Sequence, residues 1–244
     1  MVSRYGAELK ESMAEVDAFI SLDEIVKAGE VASDSDGSEL LADAARPYFL
    51  YDDSMPRVLS TKQHTAYVKI SEGCNRPCTF CIIPKIRGGL RSRVADSVYR
   101  EVQDLAESGV REVNLVGQDL TAYGSDNKEI KIHKLLEGIA KTDIDWIRLL
   151  YAYPVGITDE LLDTIMNVPK ICEYLDLPLQ HASERVLKLM QRPTGRFATR
   201  PLIEHIKTRQ PNISMRTTFI VGFPGETEED VRQLEDLVLS LIHI

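Results

Sequence analysis

Three of the four cysteines in this 244-residue chain fall within one short stretch, Cys74-Asn75-Arg76-Pro77-Cys78-Thr79-Phe80-Cys81. The spacing is Cys-x-x-x-Cys-x-x-Cys. Thiols this close in sequence face one centre only if the backbone loops around that centre. Gly73 permits unusual φ and Pro77 fixes its own, so both suit such a loop. The apolar run Ala66 to Ile70 just upstream has strand length. Cys172 is remote from the other three and reads as a packing residue.

The residues by themselves admit three states of the cysteine cluster. A disulfide leaves one thiol over and fits poorly with a cysteine-poor chain that shows no export signal. A structural zinc wants four ligands; His64 is a candidate for the fourth, although nothing in its spacing requires it. An iron–sulfur cluster normally takes four thiolates, so three would leave one iron with an open position.

Composition narrows the partners. Hydrophobic residues make up 43% and charged residues 27%, enough for an ordinary globular core in one large or two smaller domains. The net charge of −9 argues against nucleic acid as a direct substrate, because phosphates are neutralised by lysine and arginine. It suits a basic protein partner. Met1 to Lys10 lacks the apolar core of a secretion signal, and no run approaches the ~20 apolar residues of a membrane span. A cytoplasmic protein is the expectation.

Along the chain, residues 1–45 read as what remains of a small α/β unit, with a helix over Tyr5–Met13, a short buried strand over Val16–Ile20 and a helix over Leu22–Gly29. Ser33 to Ser38 reads as a polar, acidic connector, and residues 46–63 as a linker. From residue 64 the pattern is regular. Strand-length apolar runs at Ala66–Ile70, Glu112–Val116, Trp146–Tyr151, Tyr174–Leu177 and Met215–Val221 alternate with helical stretches. These are Asp96–Ser108, Ile132–Lys141, Asp159–Asn167, Ser183–Met190 with Pro201–Arg209, and Glu228–Leu239. Val98, Val102, Leu105 and Ala106 share one helical face, Gly109 suits a C-cap, and Thr227 opens a capping start. Five strand–helix repeats predict parallel strands in an open sheet or a barrel.

The residues after each run are unusual in the same direction. The first is followed by the cysteines and then Arg87, Arg91 and Arg93; the second by Gly117-Gln118-Asp119. The third ends in Tyr151-Ala152-Tyr153-Pro154, the fourth in Pro178-Leu179-Gln180-His181, and the fifth in Gly222-Phe223-Pro224-Gly225. The arginines are either a solvated turn or an anion site. Gln118 and Asp119 either cap a loop or face a ligand, and His181 is either structural or part of a site.

The cysteine spacing, with Phe80 before the last cysteine, resembles the signature of the radical S-adenosylmethionine (SAM) enzymes. Within them, Ser71-Glu72-Gly73-Cys74-Asn75, Cys78-Thr79-Phe80-Cys81-Ile82-Ile83-Pro84 and Leu177-Pro178-Leu179-Gln180-His181-Ala182-Ser183 resemble the methylthiotransferases, and more closely the branch acting on a small-subunit ribosomal protein than the tRNA branch. The resemblance implies an α/β fold, a partial (β/α) barrel over 64–238 and truncated after its fifth unit. It implies a 4Fe–4S cluster held by Cys74, Cys78 and Cys81 whose open iron binds SAM. Gln118, Asp119, Gln180, Gly222 and Phe223 are then the expected SAM contacts. The implied reaction adds a methylthio group to the β-carbon of an aspartate in the ribosomal protein, with an electron donor of flavodoxin or ferredoxin type. Adenosine in tRNA is the alternative substrate, and a non-catalytic zinc module the alternative of a different class. Members of the family carry three further cysteines for a second 4Fe–4S cluster and a small C-terminal β-barrel (TRAM) domain. No cysteine precedes Cys74 here and residues 239–244 do not resemble the family's continuation, so a fragment is expected that holds one cluster without completing methylthiolation.

Overall fold

Five parallel strands, each returned by helices, form the wall on which the cysteine loop sits. A computed structural model describes residues 2–33, 48–128 and 130–241. Helix α1 (Val2–Ser12) is interrupted at Tyr5, whose φ of −122° and ψ of 17° leave the helical region. The strand expected over Val16–Ile20 does not form. The run is irregular, with a single bridge residue at Ile20 and only Phe19 buried. A strand persists only against a hydrogen-bonded neighbour, and no named strand pairs with this run among the described residues. Leu22–Lys27 is a 3-10 helix that leads into α2 (Ala28–Ser33). Most of the acidic connector, residues 46 and 47 of the linker, and residues 242–244 of the tail lie outside the described residues.

Residues 48–64 carry no helix or strand but are tied at both ends. The backbone N–H groups of Tyr48 and Phe49 donate to Asp23 Oδ1 at 2.7 and 2.6 Å. Asp53 pairs with Arg100 at 2.7 Å, and Arg57 pairs with Glu101.

The strands are β1 (Thr65–Lys69), β4 (Glu112–Val116), β5 (Trp146–Leu149), β6 (Tyr174–Asp176) and β7 (Ser214–Arg216). β1, β4 and β5 pair in parallel, as do β6 and β7. The two groups are joined by the parallel bridge Ile147–Ile171 and by Ala152 N–H donating to Asp176 O at 2.8 Å. Each neighbour is therefore the next of these strands in sequence, the order of a barrel wall. The helices between them are α4 (Ala95–Glu107), α5 (Ile132–Ile139), α6 (Asp159–Asn167), α7 (Glu184–Leu189) with α8 (Thr199–Arg209), and α9 (Glu228–Leu241). The last expected strand is shorter than its apolar run, and the remainder contributes only the bridge Gln180–Phe219.

The core lies between this wall and the helices. Val98 and Val102 of α4, Leu135, Leu136 and Ile139 of α5, and Leu161 and Leu162 of α6 are fully buried against Ala66, Val68, Val113, Leu115 and Ile147. Each such aliphatic side chain contributes about 1.5–3 kcal/mol on leaving water. Alternate strand positions point to the other face, so Tyr67, Lys69, Asn114 and Arg148 lie inside the arc. Between β1 and α4 the chain makes an excursion with no counterpart in the sequence reading. The two-residue strands β2 (Ser71–Glu72) and β3 (Arg91–Ser92) pair antiparallel, and the single-turn helix α3 (Ile83–Ile86) sits between them.

Candidate cluster-binding site

The cysteine loop hangs between β2 and α3 and is fastened on three sides. Gly73 has φ +78°, and a Cβ there would lie 2.1 Å from Gly89 O, so the β2–β3 excursion closes directly on it. Cys74 N–H donates to Gly88 O at 3.2 Å, and Asn75 Oδ1 accepts from Leu90 N–H at 3.1 Å. On the far side, Thr79 uses the C-terminus of α7. Its N–H donates to Met190 O and its hydroxyl to Leu189 O, both at 3.1 Å. In the middle, Arg76 Nε donates to Asp119 Oδ2 at 2.7 Å, which moors the loop to the end of β4.

All three cysteines are free, half-buried and line one cavity of about 390 Å³ at the C-terminal ends of the strands. That is a size typical of small-molecule sites. Burial pushes the Cys74 thiol above its ordinary pKa. Tyr153, whose phenol is pushed up to about 12 by burial, stays neutral beside Cys78. The Arg76 and Arg192 guanidinium groups lie 4.2 and 4.3 Å from the centroid of its ring.

Of the expected SAM contacts, Gln118 and Gln180 line this cavity. Gln118 Nε2 donates to the buried Glu72 at 3.2 Å. Asp119 is 1% exposed and both its oxygens are engaged, one by Arg76 and the other by Thr121 at 2.6 Å. Gly222 and Phe223 are not among the lining residues; Gly222 N–H bonds Glu226, and Phe223 is half-buried in that turn. His181 is fully buried and donates through Nε2 to Glu226 at 2.7 Å, while its Nδ1 accepts from Ser183 N–H at 2.9 Å. It ties the β6 and β7 loops together. The arginines after the cysteines part company. Arg93 is buried in an ion pair with Glu101, Arg91 bonds backbone carbonyls, and Arg87 lies 3.6 Å from Glu72.

Three lining residues carry buried polar atoms with no partner among the described residues: Gln118 Oε1, Asp176 Oδ1 and Arg192 Nε. Buried polar groups are nearly always satisfied, so three such atoms on residues that line one cavity set this wall apart from an ordinary core. Tyr151 and Gln180, also on its wall, hold φ of +66° and +76°. That backbone is costly for residues other than glycine and collects at functional sites. Three soft thiols in the lining, together with Gln118, Asp176 and Gln180, fit an iron–sulfur group with a polar cofactor beside it. His64 does not fit as a fourth ligand. It is exposed at the start of β1, whereas the cysteines follow the end of that strand.

The sequence reading missed Glu72, Asp176, Arg192 and Arg216 as site residues. Asp176 is 1% exposed and pairs with Arg216 at 2.6 Å. A charged residue inside an otherwise apolar strand run is the one signal that marks Asp176 in the sequence.

The family profile described as the Radical SAM superfamily matches residues 68–238, most of the chain. The chain belongs to the radical SAM superfamily. Curated relatives include proteins named ribosomal protein uS12 methylthiotransferase RimO from Myxococcus xanthus (strain DK1622), 44% identical over 96% of this chain and 49% of that protein, and from Geotalea uraniireducens (strain Rf4), 44% identical over 95% and 52%. The chain spans about half the length of the curated relatives it matches. Among solved structures, the radical S-adenosylmethionine methyltransferase TsrM from Kitasatospora setae superimposes with a TM-score of 0.60 over 73% of this chain and 34% of its own, at 19% identity. The cobalamin-dependent S-adenosylmethionine radical enzyme OxsB gives 0.57 over 71% and 26%, at 14% identity. At these identities the family's fold is what is shared: an α/β, partial (β/α) barrel.

Proposed function

We propose that this chain carries the cluster- and SAM-binding core of a radical SAM methylthiotransferase that modifies the β-carbon of an aspartate in a small-subunit ribosomal protein. The observation that carries the reading is that Cys74, Cys78 and Cys81 all line one cavity at the C-terminal ends of the strands. Relatives at 44% identity bearing the uS12 methylthiotransferase name supply the substrate. The net charge of −9 suits a basic protein partner better than RNA.

Cys74, Cys78 and Cys81 would hold a 4Fe–4S cluster, leaving one iron open to SAM. When bound, that pair supplies one-electron reductive cleavage of a SAM carbon–sulfur bond, which a β-carbon–hydrogen bond too weakly acidic for base catalysis requires. The chain's own residues orient and shield. Gln118, Asp176 and Gln180 line the same cavity as the cysteines and would offer side-chain oxygens to an ammonium or to ribose hydroxyls. Asp119 acts through Arg76, by mooring the cysteine loop. Gly222 and Phe223 shape the β7 turn that closes the arc. A flavodoxin- or ferredoxin-type donor and a cytoplasmic setting belong to the same reading. So does a second 4Fe–4S cluster, for which this chain has no three further cysteines. No helix among the described residues is long and apolar enough to cross a membrane.

The test is anaerobic reconstitution followed by iron and sulfide analysis, EPR with and without SAM, and 5′-deoxyadenosine formation under a reductant. About four irons per chain and a SAM-perturbed signal are expected, with turnover stimulated by a uS12 peptide. Stimulation by a tRNA stem-loop alone would move the substrate to adenosine. Stoichiometric zinc with no iron uptake would sink the cluster.

A further inference from the structure

Arg192 is a buried cation without an anion. It is 9% exposed and lines the cavity beside the cysteines. Among the described residues no carboxylate pairs with it. Its NH1 donates to Cys78 Sγ at 3.8 Å, its NH2 donates to Pro178 O at 2.6 Å, and its Nε has no partner. Its guanidinium lies over the Tyr153 ring, which Arg76 also covers. The ring offsets part of the burial cost. A buried charge left otherwise unpaired is strongly unfavourable, so the site is arranged for negative charge at the cysteines.

We propose that Arg192 is a positioning residue that sets the reduction potential of the group held by Cys74, Cys78 and Cys81, through its hydrogen bond to the Cys78 sulfur and its fixed positive charge. The proposal rests on the cluster reading above. Adding an electron makes a thiolate-ligated cluster more negative, so an adjacent cation and an N–H donor stabilise the reduced form more than the oxidised one. The fork geometry matters as well as the charge. One arm reaches the sulfur while the other is fixed by Pro178 O, which an ammonium cannot reproduce.

The experiment compares wild type, R192K and R192M after anaerobic reconstitution. It reads iron per chain, the potential by EPR-monitored titration, and melting of the apo and loaded forms. All three are expected to load iron equally. In R192M the reduced-to-oxidised ratio at a fixed poise falls about tenfold, a shift of about 59 mV to more negative potential for one electron, with R192K in between. Apo R192M melts at or above apo wild type, because the unpaired charge is gone, while loading stabilises it less than wild type. R192M that folds but takes up no iron, with wild type loading fully, overturns the proposal by making Arg192 an assembly residue. An unchanged potential in fully loaded R192M, or apo R192M melting well below apo wild type, overturns the proposal by making Arg192 a fold element. Failure of wild type itself to take up iron refutes the cluster reading instead.

Discussion

On the cluster reading, three cysteines are ligands and the fourth only packs. C74A, C78A and C81A are each expected to lose nearly all iron on reconstitution, whereas C172A, beside β5 and β6, keeps it; iron per chain decides. Arg93 shows how differently a neighbouring charge is used. Its side chain is 1% exposed, its guanidinium binds Glu101, Ser97 and Lys69 O, and Tyr123 donates to its backbone carbonyl at 2.6 Å. R93M strands the Glu101 carboxylate on that side and is expected to cost about 3–5 kcal/mol in denaturant unfolding. Equal stability would mean that Arg57, which also pairs with Glu101, takes over. Arg87, Arg91 and Arg93 look alike in the sequence. Their environments come from residues far along the chain, and no local pattern distinguishes them.

Turns and caps place the site at the scale of elements. Gly73 and Gly109 both hold positive φ, but a Cβ at Gly73 meets backbone while at Gly109 it meets open space. G109A should cost only about 1–2 kcal/mol, the usual penalty of a left-handed backbone. G73A should displace the cysteine loop, lower iron loading and melt further below wild type than G109A; full loading would show that the excursion moves aside. Asp230 caps α9. It accepts from Thr227 N–H and hydroxyl at 2.9 and 2.6 Å and from Ser183 at 2.6 Å, and it pairs with Arg185. The Arg185 guanidinium, first among these partners, holds its carboxyl well below the usual carboxylate range. A depressed folded-state value gives stability that is present above the unfolded pKa of about 4 and lost as pH falls below it. D230A should therefore melt below wild type at pH 7, and the gap should narrow progressively below about pH 4. A gap independent of pH would mean that packing, not charge, holds the cap. The capping start at Thr227 and the C-cap at Gly109 are legible because caps are local chemistry. The β2–β3 pair is not, because two residues per strand carry no period to read.

At the scale of the whole molecule, the cysteine loop is held by β4, β5 and α7 as well as by its own hairpin, so loading it should stabilise the entire fold. A ligand bound only by the folded state raises stability by mass action. Chelation of the iron is expected to lower Tm by several degrees, at roughly 2–4 °C per kcal/mol for a chain of this size. Coincident melts of apo and loaded protein would place the loop outside the cooperative unit. The strand–helix alternation from residue 64 and the cysteine spacing were both readable in the sequence. Buried parallel strands demand continuous apolar runs, and ligands to one centre must be close in the chain or folded onto it. The choice between open sheet and barrel order was not readable, since pairing order is a matter of which edges meet. Nor was the identity of Arg192, 114 residues from the sulfur it touches, or of Asp176 and Glu72 as buried charges. Whether a charged side chain is solvated or enclosed depends on what the rest of the fold brings against it. Sequence by itself determined the repeat, the cysteine spacing and the family resemblance; only the tertiary structure decided which polar groups surround the cysteines, because burial and partnership are properties of neighbours in space.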